Sequence, residues 1–342
     1  MVPLRSAQLI DDGAITVHSA REIEAKRRAL IQYLWGAEGF PKRRLPSAVL
    51  TNVPSPVKQL NRLARVDEFR MDLAPGLQGL AHHFIPENPN RELVVLHQGH
   101  GCTMDDDPSP ADVGYGLQRT INALLGEGYS VLGVFMPHMR PGDCTGGHER
   151  MFQTNTVGSP IRYFLESTAI SLNYVKTRSR SGHFPKYRAF HMAGLSGGGW
   201  TTTVYAALDP TIRVSIPVAG TIPLYLRTKG SVGDREQFES TFYSIAGYPD
   251  LYILGAQGRG RKQVQILNRR DDCCFGEAQH DVQSSGMSYE ESLRAYEIRV
   301  QAALKEINRG SFRLHIDEKA PSHMISHHTI KDVIVPELSK AR

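Results

Sequence analysis

Cysteine is scarce in this 342-residue chain: there are four, at positions 102, 144, 273 and 274, and none has the paired CxxC spacing of a structural zinc site. The same count is too low for a disulfide-built scaffold. No run of residues approaches the roughly 20 consecutive apolar positions that a membrane-spanning helix needs. The opening residues, Met1-Val2-Pro3-Leu4-Arg5, lack the uninterrupted apolar core of a secretory signal. The chain as given is therefore expected to be cytoplasmic, although a leader removed before this numbering would leave no trace. Charge of one sign is also lacking: 40 basic against 35 acidic residues leave a formal +5. The basic clusters Lys26-Arg27-Arg28, Lys42-Arg43-Arg44 and Arg259 to Lys262 are short and scattered, which reads as solvated surface. A nucleic-acid partner would want one long basic stripe with interleaved aromatics or a binding module, and neither is present. Internal repeats and low-complexity tracts are absent too.

What remains is an ordinary globular composition, 40% hydrophobic and 22% charged, in a chain long enough for one large α/β domain or two small ones. Residues 19–35 open with Ser19 three positions before Glu22, a capping-box spacing. They continue with Ile23, Leu30, Ile31 and Leu34 at helical intervals up to Gly36. Prolines 41, 46, 54 and 56 then mark a connector. This divides the chain into an N-terminal helix and connector, 1–58, and a main domain, 59–342. From there strand-like runs at 66–73, 79–85, 92–97, 129–136, 188–195, 212–219, 263–269 and 311–317 alternate with helical patterns at 113–126, 160–178 and 288–309. Such alternation predicts a mostly parallel, eight-stranded sheet with helices on both faces. Residues 221–262 break the pattern. They are rich in glycine and in aromatics, among them Tyr225 and Phe242, and are expected to overhang the C-terminal edge of the sheet, where open α/β sheets bind ligands.

The sharpest chemical signal is Gly194-Leu195-Ser196-Gly197-Gly198, a G-x-S-x-G pentapeptide between the apolar run 189–193 and a helical pattern through Trp200, Val204 and Leu208. A strand that turns this sharply into a helix leaves the serine hydroxyl exposed, and the helix N-terminus favours a developing negative charge beside it. A serine among glycines is otherwise a flexible turn. The flanking strand and helix argue against that alternative.

These residues resemble the α/β-hydrolase superfamily, from about residue 60 to the end of the chain. The resemblance implies a Ser-His-Asp triad: nucleophile after the fifth strand, acid after the seventh, histidine after the eighth. Ser196 follows the fifth predicted strand. Asn268-Arg269-Arg270-Asp271-Asp272 follows the seventh, and counting three residues from Asn268 favours Asp271, with Asp272 as the alternative acid. Pro321-Ser322-His323 follows the eighth, ahead of a final helix for which Ser326 is the expected N-cap. His327 and His328 fall inside that helix, so His323 is the expected base. Strand three ends in His97-Gln98-Gly99-His100-Gly101, similar to the His-Gly loops that supply part of an oxyanion hole. The amide of Gly197 and that of His100 or Gly101 are the expected donors.

The resemblance implies acyl transfer on a small-molecule ester, with an amide as the alternative substrate and a non-catalytic hydrolase-like binding protein as the alternative of another class. It requires no cofactor and no metal. His97 and His100 with Asp105 to Asp107 could be drawn as metal ligands, but they lack the i,i+4 helical spacing of zincin motifs. The segment 221–262 becomes a lid after strand six, with Tyr225, Phe242 and His97 as expected pocket-lining residues. Cys102 and Cys144 follow neighbouring strands and are expected to lie close together near the pocket; a disulfide there is weakly supported in a cytoplasmic chain and their pairing is left open, and Cys273-Cys274 reads as packing.

Overall fold

Ser19 Oγ accepts the Glu22 amide where helix α1 (Ala20–Trp35) begins, while the Glu22 carboxylate reaches back one residue past the N-cap to accept the His18 amide, so the N-cap forms but the full capping box does not. The computed structural model describes residues 13–105, 114–146, 148–153, 156–227, 233–280 and 286–341. The buried face of α1, including Ile23, Leu30 and Leu34, joins the same hydrophobic core as the central sheet. Arg27 is buried on that face as well, and its guanidinium donates to the carbonyl of Ala207 at 2.8 Å.

All eight predicted strands form, as β2 (Leu63–Ala74), β3 (Leu77–Pro86), β4 (Glu92–His97), β5 (Ser130–Val134), β8 (Ala189–Leu195), β9 (Ile212–Val218), β10 (Lys262–Asn268) and β11 (Ser311–Asp317). A small hairpin, β6 (Met139–Arg140) with β7 (Asp143–Cys144), stands apart from them. The main sheet has nine strands rather than eight. The extra one, β1 (Ala48–Leu50), lies in the proline-rich connector and pairs antiparallel with β2. Three residues are too few to show a period of two, so only the pairing reveals it. The order is β1-β2-β3-β5-β4-β8-β9-β10-β11, antiparallel through the first four and parallel from β5 onward.

Alternation along the strands separates two cores. Leu93 and Val95 of β4 face one, shared with α1, α4 (Arg162–Arg180), α5 (Gly197–Leu208) and α8 (Tyr289–Ile307). Val94 and Leu96 face the other, shared with α2 (Leu117–Gly126) and the final helix. The predicted helix at 113–126 starts at Leu117; residue 113 lies outside the described residues. The last helix runs through a π-turn at Thr329–Ile334 into α9 (Val335–Ser339), and Ser326 Oγ accepts the Thr329 amide at its start. Between β9 and β10 the inserted segment carries α6 (Ser240–Ile245) and α7 (Tyr248–Ala256), both buried on the first core. A chain of hydroxyls pins them there: Trp200 Nε1 donates to Tyr243 Oη, and Tyr243 Oη to Tyr248 Oη, each at 2.8 Å.

Because β4, β8, β10 and β11 run parallel, their C-terminal ends share one edge. At that edge the turn from β8 into α5 packs directly on the end of β4. A Cβ at Gly198 would overlap the carbonyl of His97, and one at Gly194 the carbonyl of Gly198. Gly198→Ala is therefore expected to cost about 2 kcal/mol or more of stability, since the obstruction is backbone and cannot rotate away. Gly126→Ala, where the added methyl meets open space on α2, should be neutral or slightly stabilising. Urea midpoints of the two variants check the contrast, and equal midpoints would contradict the packing described.

Candidate active site

Ser196 sits at the junction of β8 and α5 with φ 60° and ψ −128°, a backbone conformation that costs an L-residue on the order of 1–3 kcal/mol. Its own amide donates to the Val218 carbonyl at 2.9 Å and its carbonyl accepts the Trp200 amide at 3.0 Å, so the strained residue is itself tied down on both sides. The first amides of α5, from Gly197 onward, have no acceptor within the helix and leave a positive end beside the serine.

Register between the last two strands builds the opposite wall. Asn268 and Asp317 are paired residues at the ends of β10 and β11. The Asn268 side-chain amide donates to the carbonyls of Ser322 and Met324 at 3.0 and 2.8 Å, bracketing His323 from both sides. Asp317 clamps the same loop: Oδ1 accepts the amides of Lys319 and Ala320, and Oδ2 the hydroxyls of Ser326 and Thr329, at 2.5–3.0 Å. Burial raises the Asp317 pKa, but these donors outweigh it and hold the carboxyl below its ordinary value.

His323, held this way, places Nδ1 2.7 Å from Asp271 Oδ2. The other oxygen of the buried Asp271 carboxylate accepts the amides of Cys273 and Cys274 at 2.9 and 2.8 Å. Asp272 turns outward and is exposed. His323 Nε2 is buried without a hydrogen-bond partner. His327 is exposed and His328 half-buried, and neither reaches the cavity described next.

Ser196 and His323 line one cavity of about 410 Å³. Gln98, His100 and Gly101 from the loop after β4 form one wall, Tyr115 and Phe275 supply its aromatic surface, and Gly233, Asp234 and Gln237 close it from the inserted segment. The inserted aromatics are placed otherwise than expected. Phe242 is fully buried against Tyr33 and Tyr243, and Tyr225 is 42% exposed outside the cavity lining. Large rings on this segment secure it to the core, and the cavity wall falls to its short polar turn. His97 is not a lining residue either. It is wholly buried beneath the loop, within 3.4 Å of the Gly99 amide through Nδ1, and burial with the nearby His100 pushes its pKa down to about 3.

The ligand set drawn from His97, His100 and Asp105 is not assembled: His97 points into the core and Asp105 pairs with Lys58, while Asp106 and Asp107 lie outside the described residues. The open question of the Cys102–Cys144 pair is answered by a bond, and Cys273 and Cys274 are bonded rather than merely packed. Cys102 is joined to Cys144, tying the loop after β4 to the hairpin strand β7, and Cys273 is joined to its neighbour Cys274 on the cavity wall. Asn268 and Asp317 are the site-building residues that reading along the chain missed. The available signal was a polar residue at the last position of each of two adjacent strands.

This sheet, elbow and strand-end loop define the class: the chain has the α/β-hydrolase fold. Among solved structures it is similar to the methylesterase BT1017, with a TM-score of 0.56 and 13% identity over 92% of this chain and 61% of that one. It is also similar to an acetyl xylan esterase from Paenibacillus sp. R4, with a TM-score of 0.53 and 12% identity over 98% and 99% of the two chains. An acylaminoacyl peptidase from Pyrococcus horikoshii matches with a TM-score of 0.52 and 15% identity, over 83% of this chain and 42% of that one. No family model matches the sequence, and no curated protein matches it. No helix among the described residues is long and apolar enough to cross a membrane.

Two buried imidazoles give a pH signature. Burial, with Arg65 nearby, pushes His83 down to about 3, as burial does His97. Both titrate near 6.5 when unfolded, so the unfolded chain binds more protons below that pH. Their contribution to stability is complete above pH 6.5 and is lost as pH falls from there toward about 3, at roughly 1.4 kcal/mol per pH unit for each ring. Urea unfolding at pH 6.0 and 5.0 should show this slope, and His97→Gln should reduce it by about one proton. An unchanged slope in the variant would contradict the assignment.

Proposed function

We propose that the chain is a serine hydrolase that cleaves a carboxylic ester through an acyl-enzyme on Ser196. The observation that carries this reading is the position of His323, with one ring nitrogen on the Asp271 carboxylate and the other unpartnered on the wall it shares with Ser196. In this mechanism Asp271 keeps the proton of the neutral ring on Nδ1, so Nε2 accepts the Ser196 proton as Oγ attacks the ester carbonyl. The amide of Gly197, together with that of His100 or Gly101, receives the tetrahedral oxyanion. Protonated His323 then passes its proton to the leaving alkoxide, and water releases the acid by the same route.

Esterases on the same fold, acting on acetyl and methyl esters by their names, support a small ester, and a cavity of about 410 Å³ agrees with it. The inserted segment serves as the lid in this reading, through Gly233, Asp234 and Gln237 rather than its aromatics. Selectivity for the organic part of the substrate rests with Tyr115 and Phe275.

The experiment is turnover of p-nitrophenyl esters of increasing chain length beside matched anilides. Short esters should be the better substrates, and Ser196→Ala should lower kcat by about four orders of magnitude or more. Asp271→Asn should lower kcat by up to about four orders by favouring the wrong tautomer, whereas Asp272→Asn, at an exposed position, should change it little. Near-wild-type turnover in Asp271→Asn with collapse in Asp272→Asn would overturn the assignment, and faster anilide than ester cleavage would move the function to an amidase.

A further inference from the structure

Beside the Ser196 cavity, and outside the groups that the proposed mechanism uses as acid, base or nucleophile, four side chains from three segments converge. They are His100 in the loop after β4, His148 at the start of α3 (His148–Met151), and Asp234 and Glu236 in the inserted segment. Each offers one ligand atom, and these atoms all lie within 4.8 Å of one another. His100 Nε2 is 2.9 Å from Asp234 Oδ2, and His148 Nδ1 is 3.4 Å from Glu236 Oε1.

Glu236 sets this apart from a surface ion-pair cluster. Its side chain has no exposure at all, yet both carboxylate oxygens lack a hydrogen-bond partner. The buried His148 likewise leaves Nε2 without one. A carboxylate taken fully out of water without donors is costly, and a contact of 3.4 Å to one imidazole does not offset that cost. Tetrahedral zinc with bonds near 2.1 Å holds its ligands about 3.4 Å apart, so the four groups need to close by at most about 1.4 Å. Two imidazoles and two carboxylates also balance a divalent ion in charge, and the nitrogen donors select against magnesium and calcium.

We propose that His100, His148, Asp234 and Glu236 bind one zinc-class divalent transition metal, which pins the inserted segment and α3 to the loop that walls the Ser196 cavity. The other edge of the His100 ring lies against Gly197, where an added Cβ would come within 2.8 Å of it. The ion would thus fix a ring that borders the reacting centre, without itself entering the acyl transfer. This inference does not rest on the esterase reading, since metal occupancy is measured without any substrate.

The test uses the full chain, stripped with a chelator and titrated with Zn²⁺, Co²⁺, Mg²⁺ and Ca²⁺ by calorimetry. Zinc is expected to bind at one equivalent and to raise Tm, as a ligand of the folded state must. Cobalt should give the intense visible bands of a four-coordinate nitrogen and oxygen site, and magnesium and calcium should not saturate. Glu236→Gln and His148→Gln should each weaken zinc binding at least tenfold. If His148→Gln does not fold, Glu236→Gln and the cobalt spectrum of the wild type decide the matter. Absence of stoichiometric zinc binding would overturn the proposal. So would binding unchanged in Glu236→Gln.

Discussion

The site depends on the close approach of two pieces of backbone: the first turn of α5 and the end of β4. Gly198 lies so near the His97 carbonyl that no side chain fits between them, and Gly194 is equally close to the Gly198 carbonyl. That contact forces the chain to leave β8 and enter α5 within a single residue, and Ser196 absorbs the reversal at φ 60°. The strain of about 1–3 kcal/mol is sustained because Val218 and Trp200 hold the residue from both sides. A serine on a relaxed turn would be free to turn its hydroxyl away. This one is held at the cavity it shares with His323.

The second half of the site is built from strand register rather than from a turn. Parallel pairing of β10 and β11 sets Asn268 beside Asp317, and each then captures a different part of the loop that carries His323. A histidine on a free loop would lose rotamer and backbone entropy each time it met its partner. Here the loop carbonyls and amides are already bonded, and only the imidazole faces the cavity. Asp271 is fixed by the same logic, with one carboxylate oxygen on two backbone amides and the other on the ring.

The elements that could be read from the sequence were those with a strong local period. The N-cap at Ser19, the capping box at Ser288, the long buried strands and the G-x-S-x-G turn all declare themselves within a few residues. What escaped was whatever depends on a distant partner. Strand β1 is three residues long and exists through its pairing with β2. Aromatic richness suggested a cavity lining at Tyr225 and Phe242, but composition cannot tell a ring that meets a ligand from one that seats a helix, and Phe242 seats α6. The Cys102–Cys144 link joins residues 42 positions apart, and the four residues around Glu236 come together only when the inserted segment folds back over the β4 loop.

The central claim is that the hydroxyl held in this strained turn is the nucleophile. Its most direct test is mass spectrometry of the protein after exposure to a fluorophosphonate probe. The account predicts a single covalent adduct that maps to the peptide containing Ser196 and is absent from Ser196→Ala. An adduct on another residue, or one retained in the alanine variant, would contradict it.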